Sequence, residues 1–279
     1  MTVSQAPRRL SLWQGNVQTD VLVVGEGPPL VYLHGPWGLT VDLGFLPRLA
    51  ETGGCTVYAP RHPGTSAGDP EAIHRIDSLH DLIVYYAELF DQLELRSAPV
   101  VGHSFGAMVA CEIAATVPGL VARLVLIDPV GLWRDDQPVK NWMIFSEQER
   151  PSALFGDPQS EVARHFFEVP GDNEARVDAL ADFIWSQACT GKFVWPIPDR
   201  GLARRIHRIT APTLVIWGTR DGVIADSYAD EFATRIRGAR VERIEGAGHL
   251  PHIEAPEVVA ALIAEFVKGS RSRGTSADR

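Results

Sequence analysis

Long apolar runs, paired cysteines and basic clusters are all scarce in this chain of 279 residues. Nowhere does an uninterrupted apolar stretch approach the roughly 18 residues of a membrane-spanning helix. The opening segment "MTVSQAPRRLSLWQG" also lacks the apolar core of a signal peptide. Three cysteines, Cys55, Cys111 and Cys189, are too few, odd in number and too far apart for a disulfide framework or a metal-ligand spacing. Lysine and arginine total 26 against 35 acidic residues, a net charge of −9, which argues against nucleic acid or anionic membranes as partners. The one basic cluster, "ARRIHR" (203–208), reads as a solvated helix face. These absences predict a soluble, cytoplasmic protein, monomer or homodimer, whose partner is a small-molecule substrate.

What is there is an alternation. "DVLVVGEG" (20–27) and "LVYLHG" (30–35) read as strands joined by a Gly/Pro turn, followed by "CTVYAP" (55–60), "APVVGHS" (98–104), "ARLVLIDP" (122–129), "PTLVIWG" (212–218) and "RVERIEG" (240–246). Helical patterns lie between them. In residues 77–95, Leu79, Leu82, Ile83, Tyr86, Phe90 and Leu93 share one face at the 3.6-residue period, and 257–268 repeats the pattern between Pro256 and Gly269. Strands rich in Val, Leu and Ile on both faces, each followed by a helix, predict a mostly parallel sheet covered on two sides. Right-handed crossovers then bring the strand C-terminal ends, where ligands of such sheets bind, to one edge. His34, Ser104, Asp128 and Asp221 fall at or just past such ends.

Residues 131–207 interrupt the alternation. They hold four of the seven tryptophans and six of the eleven phenylalanines but no clear strand, which predicts a helical insertion packed over that edge. Most of these aromatics are expected to form the insertion's own core, with some lining a pocket. The polar end, 269–279, is expected to be disordered.

"VVGHSFGAMVA" (100–110) places Ser104 between Gly102 and Gly106 where a strand gives way to a helix, the setting of a nucleophile elbow. Glycine on both sides leaves room for a tight backbone, and the helix start, with the Phe105 N–H, favours developing negative charge. A serine hydroxyl needs a base, and the base needs an orienting carboxylate. "IEGAGHLPHIEAPE" (244–257) offers His249, with His252 as competitor; His103 is expected to point to the opposite side of the turn from the chemistry. "LVIWGTRDGVI" (214–224) offers Asp221, with Asp128 as a second carboxylate at the same edge.

"HGPWG", "GHSFG", "GTRD" and "GAGH", in that order, resemble the α/β-hydrolase fold family over about residues 20–268. "VYAPRHPGTS" and "PTLVIWG" are similar to its segments at the fourth and seventh strands. The resemblance implies an eight-stranded-type sheet with helices on both faces, a core of 1–130 and 208–268, and a helical cap at 131–207. Carried over, Ser104 is the nucleophile, Asp221 the acid, His249 the base and Phe105 an oxyanion donor. Family members commonly take a second donor from the residue after His-Gly; here that is Pro36, which has no N–H, so Trp37 is the expected substitute. His34 is expected to stabilise its loop. The implied activity is that of a cofactor-free serine hydrolase, a carboxylesterase-like enzyme acting on an ester, lactone or thioester of a small apolar or aromatic substrate. Carbon–carbon bond hydrolysis of the ring-fission-product type and perhydrolase activity are alternatives, and a non-catalytic ligand-binding protein is the rival of another class.

Overall fold

The computed structural model describes residues 7–168, 171–196 and 198–269. Of the tail expected to be disordered, 270–279 lies outside the described residues.

Eight strands make one sheet: β1 (Arg8–Leu12), β2 (Val17–Val24), β3 (Pro29–Leu33), β4 (Thr56–Pro60), β5 (Ala98–His103), β6 (Val121–Ile127), β7 (Thr213–Gly218) and β8 (Arg240–Ile244). Their order is β1-β2-β4-β3-β5-β6-β7-β8. β1 and β2 run antiparallel to their neighbours, and all remaining pairs are parallel. The short edge strand β1 carries polar residues on its open face and was not anticipated by the seven expected strands. The helices are α1 (Phe45–Gly53), α2 (Leu79–Gln92), α3 (Phe105–Thr116), α4 (Arg150–Leu154), α5 (Glu161–Phe167), α6 (Asn173–Val194), α7 (Ser227–Arg235), α8 (Pro251–Glu254) and α9 (Pro256–Lys268). No described helix is long and apolar enough to cross a membrane.

The period of two that points successive strand residues to opposite faces explains why both faces are apolar. Val31, Leu33, Val100, Leu124 and Leu126 join α2 and α3 in one core. Leu30, Tyr32, Val101, Val125 and Ile127 join α1 and α9 in the other. α2 starts at a capping box in which Ser78 and Asp81 satisfy each other's backbone N–H. α3, behind the sheet centre, is buried from Phe105 to Ala115.

Register carries this packing to the functional edge. Leu33 pairs with Gly102, His103 with Ile127, Ile127 with Ile216, and Gly218 with Ile244, so five parallel strands end together. Between β6 and β7 the described residues contain α4, α5 and α6 and no strand. Phe155, Phe166 and Phe167 pack on one another with ring centroids 5.0–5.8 Å apart, and through Phe155 they join the core that holds α2 and α3 rather than a separate one. Trp185 Nε1 donates to the Gly64 carbonyl at 2.7 Å and Lys192 Nζ to that of Ile73 at 2.8 Å, tying α6 to the sheet domain.

In the basic cluster at 203–208, Arg204, His207 and Arg208 are exposed, as a solvated face requires, and Arg205 departs from it. Arg205 holds the buried carboxylate of Glu112 through two bonds of 2.6 and 2.8 Å, and Arg208 Nε donates to the Ala115 carbonyl. The acid sits on α3, the one charged residue of that helix, and this guanidinium is its counter-charge.

Candidate active site

Ser104 stands between β5 and α3 with φ 50° and ψ −110°, a backbone that L-residues adopt only when their surroundings impose it. The surroundings are tight. A Cβ on Gly106 would lie 2.1 Å from the Leu33 carbonyl oxygen, and one on Gly102 would lie 2.6 Å from the Ala107 nitrogen. Both glycines therefore allow α3 to close on the strand ends. The Ser104 N–H donates to the Ile127 carbonyl at 2.9 Å, holding the bend against β6. Phe105 is the first residue of α3, so its N–H has no acceptor within the helix and is available to an oxyanion.

Three side chains from separate loops meet here. The Ser104 hydroxyl donates to His249 Nε2 at 2.9 Å, and His249 Nδ1–H donates to Asp221 Oδ2 at 2.7 Å. Ser104 and His249 are wholly buried, as is the Asp221 side chain. Asp221 Oδ1 accepts the N–H groups of Val223 and Ile224 at 2.7 and 2.9 Å, which orients the carboxylate. Glu254 receives the Gly248 N–H at 2.6 Å and that of Gly156 at 3.0 Å, pinning the loop that carries His249. In such a chain imidazole can take the hydroxyl proton while the carboxylate steadies the charge that results.

The competing candidates stand elsewhere. Asp128 Oδ1 accepts the Gly218 N–H at 3.0 Å and ties the end of β6 to the end of β7. Burial, with Asp221 nearby, holds its carboxyl well above the usual range. His252 is buried and bonds Asp42 Oδ1 through Nε2 at 2.9 Å. His34 stabilises its loop: Nδ1–H donates to the Gly35 carbonyl at 2.8 Å and Nε2 accepts the His62 N–H. His62 returns a bond to the His34 carbonyl and accepts from Tyr86. Burial lowers both histidines, His62 to about 4, so each stays neutral.

One expectation needs revision. His103 does not face away from the base: its Nε2–H donates to the His249 backbone carbonyl at 2.9 Å. The bend at Ser104 begins only after His103, so His103 keeps the direction of β5 and stays beside the neighbouring loop. Asp42 and Glu254 were missed. Asp42 lies in a single 3-10 turn with no local motif, whereas Glu254 stood inside the quoted "GHLPHIE" and could have been read as that loop's anchor.

Trp37, on the loop after β3, is almost wholly buried, and its ring meets that of His249 edge-on at 5.7 Å. It also forms part of the wall of a cleft of about 1630 Å³, shared with Arg150, Phe166, Phe167 and Phe183 from the segment between β6 and β7. Among the described residues Asp42, His103 and His252 are the one group of three metal-type donors, with ligand atoms within 4.8 Å of one another. Asp42 Oδ1 and His252 Nε2 already share a hydrogen bond, and His103 Nε2–H is committed to a carbonyl, so the set is built as a hydrogen-bonded network.

Comparison with known proteins places the chain. A model of the alpha/beta hydrolase family matches residues 30–262. Pyrrolizixenacetamide deacetylase of Xenorhabdus hominickii is 29% identical over 279 residues, covering 91% of this chain and 96% of that one. Pimeloyl-[acyl-carrier protein] methyl ester esterase of Aromatoleum aromaticum is 27% identical over 256 residues, covering 87% and 99%. The structure of an esterase from Exiguobacterium antarcticum superposes with a TM-score of 0.75 at 22% identity, covering 94% of this chain and 100% of that one.

Proposed function

The chain belongs to the alpha/beta hydrolase family, and from that premise we propose that it is a serine hydrolase that cleaves a carboxylic ester-type bond through an acyl-enzyme. The observation that carries the reading is the unbroken hydrogen-bonded path from Ser104 through His249 to Asp221, buried at the C-terminal edge of the sheet. Two sequence relatives are named as an ester-cleaving enzyme and a deacetylase, chemistries that share attack on an acyl carbon.

Ser104 Oγ attacks the carbonyl carbon while its proton passes to His249 Nε2. The C–O π electrons move to oxygen and give a tetrahedral oxyanion. The Phe105 N–H binds that oxygen, and Trp37, by a backbone or indole N–H, is the second donor in place of Pro36. Collapse expels the alcohol, which takes the proton from His249 and leaves Ser104 acylated. Water then adds, losing its proton to His249, and the acid departs as Ser104 recovers its hydrogen. Asp221 keeps Nδ1 protonated throughout, so that Nε2 presents a lone pair to the hydroxyl.

The segment carrying α4, α5 and α6 serves as a cap. Phe166, Phe167 and Phe183 from it line the cleft with Trp37, which suits an apolar or aromatic acyl group. Substrate enters from this cleft past Trp37, because Ser104 itself has no exposed surface.

Reaction with a fluorophosphonate probe, followed by peptide mapping, tests the reading. The label belongs on Ser104, and Ser104→Ala loses both labelling and the hydrolysis of p-nitrophenyl esters. Hydrolysis that survives the substitution unchanged removes the covalent mechanism.

A further inference from the structure

We propose that Asp42, His252 and His103 form a brace that sets the position of His249 against Ser104, with His103 as the positioning residue. The inference rests on the serine-hydrolase reading for its kinetic consequence, though not for its geometry. Proton transfer requires three segments to hold register: the bend after β5, the loop before α8, and the loop after β3 that carries Trp37. The network joins all three. Asp42 closes the 3-10 turn Leu39–Asp42 that follows the Trp37 loop. It pairs at 2.9 Å with His252 on α8, three residues past His249. The His252 ring packs on the His103 ring with centroids 4.3 Å apart. His103, adjacent to Ser104 in sequence, then donates Nε2–H to the carbonyl of His249 itself.

The chemistry of the rings fits this role. His103, His252 and Asp42 are buried, and Tyr32, beside Asp42, shares a hydrogen bond with its carboxyl. Here Nε2–H of His103 is spent on the carbonyl, so its Nδ1 is a bare lone pair facing Gly35, where even a Cβ would come within 2.6 Å. A second proton on that ring would have nowhere to point. The ring is thus held in the one tautomer that donates to His249. Burial and the facing His252 and His249 keep His103 neutral, against the opposing pull of Asp42.

The test compares His103→Leu, which removes the donor, with His103→Gln, whose amide nitrogen can take the place of Nε2. Both are measured for kcat and KM on p-nitrophenyl acetate, normalised to titrated Ser104, and both are crystallised. His103→Leu is expected to lower kcat roughly tenfold to a hundredfold, the scale of a displaced catalytic group, with KM within about twofold. His103→Gln is expected to recover most of that loss. His252→Leu combined with His103→Leu should cost less than the product of the two single effects, as coupled sites do. In crystals of His103→Leu, the gap from His249 Nε2 to Ser104 Oγ should open past the hydrogen-bond limit of about 3.5 Å.

Equal losses in the Gln and Leu variants, or an unchanged kcat per titrated site with a lowered Tm, would overturn the brace. An unmoved His249 in the His103→Leu crystals would overturn it as well, whatever the substrate proves to be. Loss of wild-type activity on dialysis against a chelator, restored by Zn²⁺, would reassign the three residues to an ion. Failure of the hydrolase reading has a different signature: unlabelled Ser104 in the wild-type chain.

Discussion

Asp221 reaches His249 with one oxygen only: Oδ2 takes the Nδ1 proton at 2.7 Å, while Oδ1 is held by the backbone N–H groups of Val223 and Ile224. An asparagine at this position keeps its amide oxygen on those two N–H groups and turns its NH₂ toward Nδ1. Imidazole must then present a lone pair there and carry its proton on Nε2, facing the serine. Asp221→Asn is therefore expected to cost about 10⁴ in kcat. Asp128→Asn, which retains the acceptor for the Gly218 N–H, should stay within several-fold of the parent. Initial rates on p-nitrophenyl esters check both.

Between pH 6.5 and about 4 the buried imidazole of His62 should make the fold less stable as acid is added. His62 is buried, and burial lowers its pKa from 6.5 to about 4. Below pH 6.5 the unfolded chain takes up a proton here that the folded chain refuses, so stability rises with pH through this window and is lost as pH falls through it. The slope from this one group is about 1.4 kcal/mol per pH unit, or about 3 kcal/mol across the window. Urea unfolding at pH 7.5, 6 and 5 measures it, and His62→Gln should remove this group's share of the slope while those of the other buried histidines remain.

Much of this architecture is legible in the sequence, and the unread parts share a cause. Val, Leu and Ile on both faces of each strand declare a covered parallel sheet, and Gly102 and Gly106 declare the bend at Ser104. Those signals are local. The Arg205–Glu112 pair joins positions 93 residues apart, and Asp42 meets His252 across 210, with no pattern around either acid. β1 was unread because an edge strand with one face in water needs few apolar residues. His103 was misjudged because alternation along a strand gives a side, and the turn that follows decides which loop occupies it.

Glu112 is wholly buried on α3, and its counter-charge comes from an arginine side chain about one-third exposed. Arg205→Ala leaves a carboxylate unpaired in the core, at a cost of about 2–3 kcal/mol, less than the roughly 3–5 kcal/mol of a fully buried pair because water reaches the arginine. Glu112→Gln with Arg205→Ala should lose less than Arg205→Ala alone, since the stranded charge is gone. Denaturant midpoints at constant m-value decide this.

Trp185 is one of the ties between α6 and the sheet domain, through the bond from Nε1 to the Gly64 carbonyl. Trp185→Phe removes that bond, whose net worth is about 1 kcal/mol, while keeping an aromatic ring in place. If the cap gates entry, kcat/KM for bulky aryl esters should rise by up to about fivefold, and that for the smallest acetate should change little. A chain-length series compares the two.

The complete enclosure of Ser104 has a kinetic corollary for anyone profiling this enzyme with covalent reagents. Collision with the resting molecule cannot touch the alcohol, so modification must wait for a transient aperture. Plotted against reagent concentration, the observed rate should bend from a straight line to a ceiling, and a ceiling common to reagents of different reactivity reports how often the enzyme breathes.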